Sequence, residues 1–94
     1  MAEPAADVRQ LILLYRDAAL RTLDEDEAEA SRQAYQVHTH FKQLRETEEG
    51  RAAISALMDD PVSQVQRWAA VHSLMWQRDE ARALLRQLGP AARR

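Results

Sequence analysis

Apolar residues recur along this chain at spacings of three and four, and no segment alternates apolar and polar in the manner of a strand. The first run predicts a helix over about residues 5–23. Val8, Leu11, Ile12, Tyr15, Ala18, Ala19 and Leu23 fall on one side of it at ~100° per residue, and Pro4 suits its opening turn. Leu13 and Leu20 lie on another side, seven residues apart, beside Arg9, Arg16 and Asp17. A second helix is expected after the acidic run Asp24-Glu25-Asp26-Glu27, with Asp26 and Glu29 spaced for a capping box. Ala30, Ala34, Val37, Phe41 and Leu44 then trace a narrow stripe to about residue 48, and Gly50 is placed as a C-terminal cap or hinge.

The second half reads as shorter helices. One spans about residues 51–58 and buries Ile54, Leu57 and Met58. Asp60 is expected to N-cap the next, with Pro61 at its first helical position. Val62, Val65, Trp68, Ala69, Val71, His72, Met75 and Trp76 cover about half the circumference of that fourth helix, which calls for at least two neighbours. The fifth, about residues 79–88, carries Ala81, Leu84, Leu85 and Leu88 on one face and stops at Gly89-Pro90. Residues 89–94 are expected to form a loose tail. The pattern predicts an all-α chain of five helices, a long pair over residues 5–48 followed by a short hairpin unit over 51–88, within a single domain.

Residues from about 51 to 88 resemble a HEAT-type helical hairpin. The likeness is carried by a short helix ending in Leu57-Met58, the Asp60-Pro61 turn, then Val65, the Ala69-Ala70 pair and Leu74. His38, Phe41 and Leu44-Arg45 extend it into the first half, and the whole chain is similar to a small bacterial family of uncharacterised HEAT-like proteins. That resemblance implies a right-handed superhelical fragment and protein binding, because stacked hairpins expose long faces to partners. It also implies an immunity role, since some small bacterial HEAT-like proteins neutralise secreted toxins.

Composition narrows the chemistry. With no cysteine, neither a disulfide framework nor a thiolate metal site can form. The opening residues carry Glu3 and Asp7 without a basic residue, unlike a signal peptide, and Leu11-Ile12-Leu13-Leu14 is too short to span a bilayer, so a cytoplasmic location is expected. Gly50 and Gly89 are the only glycines, which leaves no phosphate-cradling loop, and Ser31, Ser55, Ser63 and Ser73 lack a nucleophile-elbow context. No catalytic residue, metal or cofactor is assigned. His38 and His40 point ~200° apart on a helix and cannot chelate together. A metal site would instead need His38 and His72 from two helices, completed by Glu48 or Asp79; the alternative is a packed His72 with a hydrogen-bond partner.

Charge is unevenly spread. Residues 1–50 hold six basic and eleven acidic side chains, whereas residues 51–94 hold seven basic and four acidic ones. The cluster Asp24, Glu25, Asp26, Glu27 and Glu29 is the expected contact for a basic protein partner such as a toxin domain, with Tyr35 as an exposed anchor. The same carboxylates would also serve as helix caps. Leu13 and Leu20 form a seam that a helix of this chain, of a second copy or of a foreign partner would cover. Arg78, Arg82 and Arg86 recur every four residues and, with Arg93 and Arg94, form a stripe able to meet nucleic-acid phosphates, although the chain carries a net charge of −2.

Overall fold

The computed structural model describes residues 7–89. Five α-helices are present: α1 (Val8–Arg21), α2 (Glu27–Leu44), α3 (Glu48–Ala56), α4 (Ser63–Ser73) and α5 (Arg78–Leu88). A 3₁₀ turn, Leu57–Asp59, continues α3. The described residues contain no strand, so the fold is all-α. The α1–α2 hairpin packs on α3 and α4, and α5 folds back along α4. No helix among the described residues is long and apolar enough to cross a membrane.

One core joins these helices. Leu11 and Tyr15 of α1, Val37, Phe41 and Leu44 of α2, Ile54 of α3 and Val65 of α4 are all buried. The small side chains of Ala18-Ala19 and Ala69-Ala70 are also buried, which lets helix axes approach closely where α1 and α4 meet their neighbours. Trp68, Trp76, Leu84 and Leu85 close the edges of this cluster.

Several expected boundaries move, each for a local reason. Asp7 caps α1, accepting from the Arg9 N–H at 3.1 Å; Pro4 lies outside the described residues, as does most of the expected tail. α1 stops at Arg21, where the Thr22 hydroxyl donates to the Ala19 carbonyl at 2.6 Å and the N–H groups of Leu23 and Asp24 bond three residues back, tightening the chain into a turn. Leu23, expected on the apolar face, is therefore 60 % exposed. Asp26 does cap α2, taking the N–H groups of Ala28 and Glu29. The reciprocal half of the box is absent: Asp24 accepts the Asp26 N–H at 2.7 Å, while Glu29 turns to Arg32 and Gln33.

Gly50 is neither a C-cap nor a hinge. α2 already ends at Leu44, Thr47 caps α3 by accepting the Gly50 N–H at 2.9 Å, and Gly50 sits buried in the first turn of α3. A β-carbon there would overlap the Leu44 carbonyl, so the residue permits a close crossing of α2 and α3. Asp60 is likewise not the N-cap of α4; Val62 occupies that position, with no side-chain cap. Asp60 is instead buried against Arg16 of α1, in a two-pronged pair with N···O distances of 2.6 and 3.1 Å. This Arg16 guanidinium holds the Asp60 carboxyl below the usual carboxylate range, opposed by desolvation. α4 ends at Ser73, which leaves Met75, expected in the core, 65 % exposed in the turn that follows.

Candidate partner-binding surfaces

The α1–α2 connection, residues 22–26, together with the first turn of α2 forms an acidic elbow. Asp24, Glu25, Asp26 and Glu27 are all exposed, and Glu29 is half-buried against Arg32 and Gln33. Two of the carboxylates have structural work: Asp24 and Asp26 accept backbone N–H groups at the start of α2. Glu25 and Glu27 make no hydrogen bond or ion pair among the described residues, so their charges are free for a partner. Leu23 stands beside them as an exposed apolar side chain. The elbow is anchored from behind, because Thr22 accepts bonds from Gln64 at 2.8 Å and from the Trp68 indole at 3.2 Å. A fixed backbone carrying one apolar anchor and unpaired carboxylates presents them with little ordering cost on binding.

The other expected anchors separate. Tyr35 is 67 % exposed on the outer side of α2. Leu13 is 65 % exposed, whereas Leu20 packs against the core, so the two do not form one free seam. Leu14, on the same helix, is also exposed and was missed, because its flank of α1 meets no neighbour.

Inside the fold, His72 is the focus of an aromatic cluster. Its ring stacks on Phe41 with centroids 3.9 Å apart and planes 7° from parallel, and Trp68 and His38 flank it. The Tyr15 hydroxyl and His72 Nδ1 lie 2.7 Å apart in a buried hydrogen bond, whose direction follows from the imidazole tautomer. Burial pushes the His72 pKa down from 6.5 to about 4, with coulombic repulsion from His38 and Arg45 adding to the effect. Burial pushes the Tyr15 hydroxyl far upward, so both groups stay neutral across the ordinary pH range. Tyr15 was read only as an apolar-face residue, yet a buried histidine requires such a partner, and Tyr15 is the hydroxyl-bearing residue on the facing stripe.

His38 and His72 approach to 6.3 Å between ring centroids, but Tyr15 engages His72, and no group of three or more potential ligands able to hold a metal exists among the described residues. Neither Glu48 nor Asp79 joins the pair in such a group. Ser55 and Ser73 bond to each other at 3.0 Å, and Ser55 accepts the Trp76 indole N–H at 2.8 Å, a packing network between α3 and α4.

Arg78, Arg82 and Arg86 are exposed along α5, and with Leu74 and Leu85 they line a shallow open groove of about 630 Å³. Arg93 and Arg94 lie outside the described residues. No protein-family model, curated protein or solved structure matches this chain.

Proposed function

We propose that this chain is a non-catalytic, HEAT-like helical module that works by binding another protein. In its most concrete form it is an immunity-type inhibitor whose acidic elbow covers the active site of a basic toxin. The observation that carries this reading is the elbow itself: Leu23 is 60 % exposed on an anchored turn, flanked by Glu25 and Glu27, which no residue among those described neutralises. Exposed apolar anchors ringed by like charge suit a partner of opposite charge, because the charges steer encounter and the anchor slows release.

The experiment is affinity capture from the native organism with two baits run side by side, the wild-type chain and the Glu25→Gln/Glu27→Gln variant. These positions are chosen because neither side chain caps a helix, so the variant keeps its fold. A basic protein retained in stoichiometric amount by the wild type and lost from the variant is the expected result. A partner held equally by both baits removes the elbow from the interface.

A further inference from the structure

The second charged feature of the molecule lies on the other half of the chain. α5 places Arg78, Arg82 and Arg86 at successive i,i+4 positions, so the three guanidiniums run along one side of the helix. No carboxylate among the described residues pairs with any of them. Two leucines, Leu74 at the end of α4 and Leu85 of α5, give the groove an apolar floor. Asp79 and Glu80 occupy the exposed first turn of α5 and offset the positive end of the helix dipole, so the basic character of the groove rests on the three arginines, of which Arg82 and Arg86 lie further along the helix.

A groove with this lining selects an acidic ligand that also carries an aliphatic side chain. The apolar floor favours a peptide over a sugar–phosphate backbone, which offers charge and no aliphatic anchor. This chain displays such a segment: the elbow, with Leu23 exposed and Glu25 and Glu27 unpaired among the described residues. No ion pair joins elbow to groove within one chain. We propose that the α4–α5 groove receives the acidic elbow of a second copy, with Leu23 on Leu74 and Leu85 and the carboxylates opposite the arginines, so that copies associate head to tail. The two contacting surfaces differ, so each added copy leaves one elbow and one groove open, and the assembly grows unless its rotation closes a ring.

The contact is small. An elbow in a shallow groove is expected to bury less than the ~1,200 Å² of a stable interface, so the association is expected to be weak and to show at high chain concentration and low salt. Screening with a Debye length of roughly 10 Å at 0.1 M weakens it further as salt rises. The inference does not depend on any foreign partner, and its test contains none.

The test uses sedimentation velocity on three preparations at low salt and near-millimolar chain, with circular dichroism confirming that each variant is folded. One variant removes the groove charges, Arg78→Gln/Arg82→Gln/Arg86→Gln; the other alters the elbow, Leu23→Ser/Glu25→Gln/Glu27→Gln. The wild type is expected to sediment as species heavier than the 10.8 kDa monomer and to revert to monomer at 0.5 M salt. Each variant alone is expected to be monomeric. Mixed in equal amounts, they retain one intact elbow and one intact groove between them and should form a 1:1 dimer that goes no further. A wild type that stays monomeric throughout, or variants that associate as the wild type does, overturns the proposal. So does a mixture that stays monomeric. Micromolar binding of a fluorescein-labelled 20-nucleotide single strand, lost in the arginine variant while the wild-type chain remains monomeric, would assign the groove to nucleic acid instead.

Discussion

Acidification should loosen this fold through His72. The imidazole is neutral and buried, bonded to Tyr15 at 2.7 Å and stacked on Phe41, so the folded chain resists protonation until about pH 4. In the unfolded chain the same ring takes up a proton near its ordinary 6.5. Between those values the unfolded state binds more protons, so stability falls as the pH falls. The contribution is fully present above 6.5, drains through the window, and has no further slope from this group below about 4. At 1.36 kcal/mol per pH unit, the window corresponds to at most about 3 kcal/mol. For a small domain holding roughly 5–10 kcal/mol, that is a large share. Urea unfolding at intervals from pH 7.5 to 4.5 measures it, with His72→Gln as the reference, since an amide can still meet the Tyr15 hydroxyl but does not titrate. The wild type should lose stability across the window faster than His72→Gln does. Parallel curves for the two proteins would refute the argument that His72 is held neutral by burial.

Other perturbations probe separate parts of the account. Gly50→Ala puts a methyl against the Leu44 carbonyl and should destabilise by about 1–3 kcal/mol in thermal or urea unfolding, despite the better helix propensity of alanine. Leu13→Ser should leave stability within about 0.5 kcal/mol of wild type, because Leu13 is exposed. Leu20→Ser should cost about 1–2 kcal/mol by the same measurement, because Leu20 packs on the core. Equal costs for those two leucine substitutions would mean that they share one environment after all.

The helical class and the core stripes of α1, α2 and α5 were legible because each buried face follows the helical period: Leu11, Tyr15 and Ala18, or Val37, Phe41 and Leu44. The arc expected on α4 was too wide: Val71 lies on it, inside the helix, and is 46 % exposed. Where the period and the helix part company, reading failed. Leu23 continues the stripe of α1 by arithmetic, but the helix ends before it, and Met75 outruns α4 in the same way. Gly50 was misplaced because a glycine needed for a close helix crossing looks, in sequence, like one that ends a helix. Asp60 next to Pro61 has the local signature of a cap, and the ligand that claims it, Arg16, lies 44 positions away. Tyr15 and His72 are 57 positions apart, so only the chemical need of a buried imidazole pointed to a partner at all. Of the elbow, the acidic run was visible from the start. Which carboxylates act as caps and which stay free depended on the geometry of the turn.

The central claim, that the elbow is a partner-binding surface, rests on charges whose effect appears in the rate of encounter. The most direct test is the association rate constant of the captured partner with wild type and with Glu25→Gln/Glu27→Gln, measured at about 25 mM and 300 mM salt. Losing charges that steer the encounter should slow association about tenfold at low salt, and the difference should shrink towards unity at high salt. Rates that match at both salt concentrations would contradict the account.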